Sequence, residues 1–318
     1  MEILIGITLN SIVPIFIMIL LGYALDKKFA LDVNTLTKVY FYIFMPAFSF
    51  ANIYTTEISL DLLKIILFAV ALLPINFVIG AMFVKLLKLP YKTGKAFENT
   101  LMFYNSGNIG VSLIILVYSN PPFASGGSAP YLETALSAQI MTFLVQNLGV
   151  NTIGLINSGG EGINLKTGAL YVLKMPALYA VALAVLLKPV PYDLTATPIW
   201  PAMVNLRNGL VCTALVTLGI QLSRAKVNLK LATPYIAVFF RLVGGPAAAF
   251  LLIRLFGFTG VLAQAVFIAS STPTAVNTAL LNQECRGDTD FAVQTVTMST
   301  VFSAVTMSIV VYLAYLIF

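Results

Sequence analysis

Apolar runs of about twenty residues recur along nearly the whole chain and are separated only by short polar or turn-rich breaks. A helix that rises 1.5 Å per residue needs about 20 apolar residues to cross the hydrocarbon core of a bilayer. Only 9% of the residues are charged, against roughly 25% in soluble domains. The sequence therefore predicts an all-α membrane protein with ten transmembrane helices, at roughly 3–25, 33–53, 60–87, 95–118, 131–156, 167–188, 200–223, 231–256, 260–283 and 290–317.

The charged residues indicate how the predicted spans are oriented. Even-numbered loops hold only Lys64, Lys188 and Arg254, near span ends. The basic residues of the odd-numbered loops are Lys27, Lys28, Lys85, Lys88, Lys92, Lys95, Lys166, Arg224, Lys226, Lys230 and Arg286. The positive-inside rule therefore places the odd-numbered loops in the cytoplasm and both termini on the extracytoplasmic side of the plasma membrane. Residues 1–28 lack the basic n-region and cleavage site of a signal peptide, so we expect them to be retained as the first span.

Histidine is absent from the sequence, and cysteine occurs twice, at Cys212 and Cys285. This set cannot build a His/Cys metal cage or a Ser–His relay. Cys212 falls in an apolar span and Cys285 in a loop, so no disulfide is expected. The net charge of +6 is explained by the basic loops, because there is no basic domain to hold a nucleic acid. We therefore expect no metal, no cofactor and no nucleic-acid partner.

The two halves of the chain, residues 1–157 and 158–318, resemble each other. Pro14 in span one and Pro176 in span six each precede a long aliphatic run, and spans four and nine are both interrupted near the middle. Because each half has an odd number of spans, the second half must insert upside down relative to the first. Inverted repeats with matching broken helices are typical of secondary transporters whose binding site lies near the membrane midplane. Chance similarity between apolar helices is the alternative.

Span nine carries the most unusual sequence, SSTPTAVNTALLNQ at residues 270–283. Its proline removes a helical N–H and clashes with the preceding turn, and the carbonyls that it frees must contact protein or water rather than lipid. Span four carries a second interruption, YNSGNIGVS at residues 104–112. If the two unwound stretches cross, two half-helix N-termini meet, each with roughly half a positive charge, which favours a carboxylate.

The candidate substrate-binding residues of the two interruptions are Asn105, Gly107, Asn108, Gly110, Ser271, Thr272, Pro273, Thr274 and Asn277. Glycine and proline are also common in membrane helices, where small residues let helices pack closely. A purely structural role is therefore the alternative for these positions.

Arg241 lies about ten residues into span eight, roughly 15 Å deep at 1.5 Å per residue. A charge at that depth without a nearby carboxylate indicates a functional site. Two roles are open: it pairs with an anionic substrate, or it caps carbonyls released by the broken helices. Gln146 is a further substrate-binding candidate. It belongs to a polar stripe in span five with Gln139, Asn147 and Asn151, for which helix-to-helix hydrogen bonding is the simpler explanation.

The coupling ion is less well indicated. Proton-driven carriers commonly use buried Asp, Glu or His residues, and sodium sites favour carboxylates with carbonyls. Neither set is evident in the spans. A sodium site made only of carbonyl and hydroxyl oxygens stays open as an alternative.

Four stretches, and above all the last, are similar to the auxin efflux carrier family of bacterial and plant membrane transporters, within the superfamily of the sodium-coupled bile-acid symporters. They are FYIFMPAFSFANI in span two, NSGNIG in span four, TALVTLGIQLS in span seven and TPTAVNTALLNQECRGDTDFAVQTVTMSTVFSAVT across spans nine and ten. The resemblance covers nearly the whole chain. It implies two inverted five-helix repeats, with spans one, two, six and seven as a scaffold that dimerises and the other six as a transport domain that moves like an elevator.

The same resemblance implies organic-anion cargo, from indole-3-acetate in plants to malate or malonate in bacteria. The crossover residues that it implies are Asn105, Gly107, Asn108, Gly110, Pro273 and Asn277. The chain departs from the family in one place, because the proline that often follows the span-four glycine is replaced by Val111 and Ser112. We therefore expect glycine rather than proline to unwind span four. The short loop NSGGEGINLK suggests a prokaryotic source.

The leading hypothesis is a secondary carrier that moves small organic anions across the plasma membrane, surrounded by lipid, as a homodimer. The alternatives are a membrane sensor of the same fold that binds a ligand without transport, and a sodium-coupled organic-anion symporter. An intramembrane enzyme is a poor alternative, because no carboxylate pair or nucleophile–base set is found in the sequence.

Overall fold

The computed structural model describes residues 1–57, 60–159, 170 and 173–318. These residues form helices joined by short connections, with two isolated antiparallel bridges and no sheet among them. Six helices of this part of the chain are long and apolar enough to cross a membrane, and three shorter apolar helices accompany them. The predicted all-α membrane architecture is confirmed to that extent.

We number the helices in chain order: α1 (Glu2–Phe29), α2 (33–55), α3 (Leu60–Leu86), α4 (Tyr91–Met102), α5 (Ser106–Tyr118), α6 (Leu132–Asn157), α7 (Pro176–Leu187), α8 (Trp200–Ser223), α9 (Ala232–Phe256), α10 (Gly260–Ser270), α11 (Asn277–Glu284) and α12 (Thr289–Ile317). Helix α2 consists of Val33–Val39, a π-helical turn and Met45–Thr55. The π-helical turns of these helices are Thr8–Ile12, Tyr40–Phe44, Ser106–Val111, Val150–Gly154 and Phe240–Gly244.

Aspartate side chains cap the first turns of two helices, and a glycine caps the end of a third. The side chain of Asp32 accepts from the N–H of Asn34 at the start of α2, and Asp288 accepts from Phe291 over 3.0 Å at the start of α12. Helix α9 ends at Phe256 and is capped by Gly257, whose φ of 69° is readily adopted only by glycine. Most predicted spans agree with a helix to within a few residues at each end. Lys166 and the beginning of span six lie outside the described residues.

One group of helices consists of α1, α2, α7 and α8, in which α1 packs along α8 and α2 packs on both α7 and α8. The contact of α1 with α8 is close because it is made through glycine. A Cβ on Gly22 would collide with the backbone of Val216, and a Cβ on Gly219 would collide with the backbone of Ile19. Close backbone approach of this kind is how membrane helices obtain dense packing.

Two lysines tie this group together at opposite ends. At the end of α1, Lys27 Nζ donates to the carbonyl of Ser223 over 2.6 Å, at the end of α8. Beyond the end of α7, Lys188 Nζ donates to the carbonyls of Ile53 and Tyr54 over 2.9 and 2.8 Å, at the end of α2. Each lysine therefore caps the C-terminus of the second helix of the other half of the chain.

The remaining helices form a second group. Helix α3 packs on α4, α6 and α9, helix α6 packs on α10, and α12 packs on α4, α9, α10 and α11. All of the interrupted segments belong to this group.

Candidate functional site

Both predicted interruptions are present. Helix α4 ends at Met102 and α5 begins at Ser106, while α10 ends at Ser270 and α11 begins only at Asn277. The prediction that spans four and nine are broken is confirmed. The break in span four occurs without a proline, as expected from its sequence.

The two breaks are hydrogen-bonded to each other. The N–H of Asn105 donates to the carbonyl of Pro273 over 2.7 Å, and the N–H of Ala275 donates to the carbonyl of Phe103 over 3.0 Å. Together they form an antiparallel bridge centred on Tyr104 and Thr274. We call residues 103–105 and 273–275 the crossing. Each break thus satisfies backbone groups of the other, which non-helical backbone at membrane depth requires.

The N-terminus of α5 is fixed by Asn105 and by two glutamines of α6. The Asn105 side-chain oxygen accepts from the N–H of Asn108 over 3.1 Å, as an N-cap does. Gln139 Nε2 donates to the carbonyl of Ser106 over 2.6 Å, and Gln146 Oε1 accepts from the N–H of Tyr104 over 3.1 Å. The stripe of span five therefore contacts the crossing, and part of its role is structural.

The predicted glycines allow this packing. A Cβ on Gly110 would lie 2.5 Å from Gln139 Nε2, so no larger residue fits without displacing that amide. A Cβ on Gly107 would lie 3.2 Å from the Tyr40 hydroxyl and 3.3 Å from the Phe143 ring. Gly107 therefore leaves the tyrosine hydroxyl free to approach the crossing.

A cavity of about 50 Å³ lies beside the crossing, between the two helix groups. That volume admits several water molecules or a small ligand group. Five predicted site residues line it, Asn105, Gly107, Asn108, Gln146 and Asn277. The lining residues that we did not assign to the site from the sequence include Thr37, Tyr40, Phe41, Tyr104, Phe143, Asn147, Thr217 and Gln221.

The walls of this cavity carry polar atoms that have no hydrogen-bond partner within the described part of the chain. From the second helix group these atoms are Tyr104 Oη, Asn105 Nδ2 and Gln146 Nε2, and from the first group they are Thr37 Oγ1, Tyr40 Oη, Thr217 Oγ1 and Gln221 Oε1. A buried polar group without a partner costs about 1–3 kcal/mol, so each of these atoms needs a ligand or water. Six of the seven can donate a hydrogen bond, which suits an acceptor-rich guest.

Arg241 does not line the cavity. It is completely buried against the crossing, where Nη1 donates to the carbonyl of Leu101 over 2.9 Å and Nη2 donates to the carbonyl of Ser270. These carbonyls belong to the last turns of α4 and α10. Of the two roles left open by the sequence, the structure shows the capping of carbonyls.

Five other predicted residues also lie outside the cavity lining: Gly110, Ser271, Thr272, Pro273 and Thr274. Their described contacts hold the backbone instead. The hydroxyls of Ser271 and Thr272 donate to the carbonyls of Phe267 and Ala269 over 2.7 and 2.9 Å. Thr274 Oγ1 donates to the carbonyl of Thr100 over 3.0 Å.

The cavity continues into a larger cleft of about 390 Å³. Both are lined by Phe41, Asn147, Val150, Asn277 and Leu280. The cleft ends near Lys174 and Glu284, at the end of the helices where the basic loops lie. A path thus leads from the crossing toward one face of the protein.

A third cavity, of about 570 Å³, is lined by Val70, Leu73, Pro74, Phe77, Met102, Ile153, Ile156 and Asn157. Its walls are almost entirely apolar, so they offer little to an anion. Among the described residues, no three His, Cys, Asp or Glu side chains come close enough together to hold a metal ion.

Membrane-length helices together with two interrupted segments that are joined at a polar cavity are typical of membrane transporters. Comparison with protein families agrees: the chain belongs to the membrane transport protein family, whose model matches residues 7–163 and 161–311. That family includes the auxin efflux carriers, so the resemblance drawn from the sequence is confirmed, and its members are transporters rather than enzymes. No curated protein matches the chain.

Proposed function

We propose that this protein is a secondary transporter of small organic anions. The observation that carries the proposal is the set of unpartnered hydrogen-bond donors around the cavity at the crossing. Asn105 Nδ2 and Gln146 Nε2 both come from residues whose side-chain oxygens are already used by backbone N–H groups. Their orientation is therefore fixed, with the donor ends left for a ligand.

The N-termini of α5 and α11 reach the same cavity through Asn108 and Asn277. Each half-helix contributes roughly half a positive charge there. A carboxylate accepts several hydrogen bonds at once and is stabilised by both helix dipoles. A cation would instead face hydrogen-bond donors and a positive potential, which disfavour it. The cavity therefore suits an organic acid.

The proposed mechanism is elevator-type alternating access. In it, the first helix group is a scaffold and the second group, which contains the crossing, moves past it as a transport domain. The position of the cavity between the groups supports this division, because a ligand there contacts both. The close glycine packing of α1 on α8 supports a rigid scaffold. The cleft toward the basic loops corresponds to a state open to the cytoplasm under the positive-inside assignment.

We further propose that the protein lies in the plasma membrane in contact with lipid, with both termini on the extracytoplasmic side, and that it forms a homodimer through the scaffold. The basic loops support the orientation. Cross-linking in native membranes tests the dimer, since a monomer yields no linked pair.

The test of transport uses purified protein in proteoliposomes and radiolabelled indole-3-acetate, lactate, malate and malonate. We expect flux of at least one acid, and loss of that flux in Asn105→Ala and Asn277→Ala. Asn34→Ala, at an exposed position of α2, is the matched control and should retain it. Unchanged flux in both cavity variants overturns the assigned site.

The same preparation separates the two alternatives from the sequence. A ligand sensor raises its apparent melting temperature when one of these acids binds but shows no flux. A sodium symporter loses flux when choline replaces sodium on both sides. We expect flux that is independent of sodium.

A further inference from the structure

Charged side chains are rarely buried, and in the described part of the chain only three are: Asp26, Glu98 and Arg241. Asp26 pairs with Arg224 over 2.7 Å, and Glu98 pairs with Lys95 over 3.1 Å. No carboxylate of the described residues forms an ion pair with Arg241. A buried charge without a counter-charge is costly, so its persistence calls for an explanation beyond ordinary packing.

The surroundings of Arg241 are built to hold the guanidinium in one place. It lies on the π-helical turn of α9 and stacks over the ring of Tyr104, 5.2 Å from the centroid. A Cβ on Gly245 would lie 2.5 Å from Nη2, so only glycine leaves room for the guanidinium along its own helix. Nη1 and Nη2 are further held by the hydrogen bonds to Leu101 and Ser270, while Nε has no partner among the described residues.

The charges at the crossing can be summed. The C-terminal ends of α4 and α10 each carry roughly half a negative charge, and the guanidinium between them cancels both. The N-terminal ends of α5 and α11, on the cavity side, each keep roughly half a positive charge. The crossing as a whole therefore carries one fixed positive charge, and that charge is presented to the cavity.

We propose that Arg241 is the counter-charge of the transported anion, carried by the moving domain itself. This inference rests on the proposed function. All of the described polar contacts of Arg241 are with α4, α10 and Tyr104 at the crossing, so its charge travels with the transport domain. The crossing is neutral when it holds a monovalent anion and carries one positive charge when it is empty. Membrane potential then acts on the return of the empty domain and not on the loaded step.

The experiment measures transient currents after voltage steps in membranes from giant proteoliposomes, in buffers without organic acids. For a unit charge that crosses the whole membrane field, 100 mV changes the ratio of the two end states about 50-fold. A charge that crosses only a fraction of the field has its exponent reduced by that fraction, so the ratio changes less. We expect the empty wild-type protein to show charge movement with an apparent valence below one. A saturating concentration of indole-3-acetate or lactate, whichever shows flux, should suppress it.

Variants of two arginines test whether the moving charge belongs to Arg241. Arg241→Lys keeps the charge and should keep the transient current, while Arg241→Met should abolish it. Arg254→Met is the matched control, because Arg254 lies on the same helix but is exposed and contacts the rings of Phe250 and Phe318. It should behave as wild type. If Arg241→Met does not fold, the absence of a transient current in wild type or in folded Arg241→Lys still overturns the proposal.

Flux without any transient current in the empty wild-type protein overturns the role of Arg241 and leaves the proposed function intact. An unchanged current in folded Arg241→Met does the same. Absence of flux for every acid of the panel overturns the proposed function, and with it this inference.

Discussion

The backbone N–H of Asn105 donates to the carbonyl of Pro273 over 2.7 Å, and this bond joins two interrupted membrane segments that are far apart in the sequence. As a result, the two breaks depend on each other for hydrogen bonds. Each supplies the partner that the other lacks in a medium without water. The half-helices on both sides of the crossing are thereby held in fixed relative positions, with their N-termini at one cavity.

The first prediction concerns the packing of the crossing. Gly110→Ala places a Cβ against Gln139 Nε2 and should displace it from the carbonyl of Ser106, at a cost of about 1–3 kcal/mol in the free energy of unfolding. The thermal melting temperature of the detergent-solubilised protein measures this loss. Gly6→Ala is the control, because nothing lies within 4 Å of its Cβ. Equal melting temperatures for the two variants would contradict the packing argument.

The second prediction tests the side-chain oxygen and the side-chain nitrogen of Asn105 separately. Asn105→Asp keeps an oxygen that accepts from the N–H of Asn108, so the helix cap and the fold should survive. It removes the Nδ2 donor and adds a negative charge at the cavity. We expect anion flux to fall about 100-fold or more, since a hydrogen bond to a charged group is worth about 1.5–3 kcal/mol and repulsion adds to its loss. Near-normal flux in this variant would show that Nδ2 does not bind the substrate.

The third prediction concerns a hydroxyl that the protein itself does not use. Tyr40 Oη has no partner in the described chain, so Tyr40→Phe should leave the melting temperature unchanged or slightly raised. The KM for the transported acid should rise about 5-fold to 20-fold, as expected for the loss of one hydrogen bond. Tyr118→Phe serves as the comparison, because its hydroxyl lies 3.3 Å from Gln264 Oε1, outside the cavity lining. That variant should lose a little stability and keep its KM.

The fourth prediction tests orientation through Cys285, which lies in the ninth loop and is half-buried. Burial, assisted by the charge of Glu284, raises the pKa of the Cys285 thiol, so the reactive thiolate is scarcer at neutral pH than for an exposed cysteine. In a Cys212→Ser background, a membrane-impermeant maleimide should react from the cytoplasmic side only, and faster as the pH rises.

The control for orientation is Ser125→Cys in the exposed fourth loop, with both native cysteines replaced by serine. It should react only from outside and reach its maximal rate at lower pH. Reaction of both sites from the same side would show that the positive-inside assignment is wrong.

The sequence predicted the elements of this protein well because their signals are local. The length of an apolar run sets a membrane helix, and the predicted span at 200–223 coincides with α8. Pro273 and the glycines of span four marked both interruptions for reasons confined to a few neighbouring residues. Four of the cavity residues followed from the same two interruptions, and Gln146 followed from the polar stripe of span five.

The lining contributed by the first helix group was not predicted. Thr217 and Gln221 lie in TALVTLGIQLS, which served only as a sign of family, and Tyr40 directly precedes another such stretch. Their residue types are ordinary for membrane helices. Only the packing of α2 and α8 against the crossing leaves their polar atoms facing a cavity without partners.

By itself the sequence determined that this chain is an all-helical membrane protein with two interrupted segments and an uneven distribution of basic loops, because hydropathy, proline geometry and loop charge act over short stretches. Only the tertiary structure decided what Arg241 does. Its hydrogen-bond partner Leu101 is 140 residues away, and the capping of that carbonyl depends on how α9 packs against α4. Hydrogen bonds between distant segments have no local sequence signature, so the contact of Arg241 with the carbonyls at the crossing could be seen only in three dimensions.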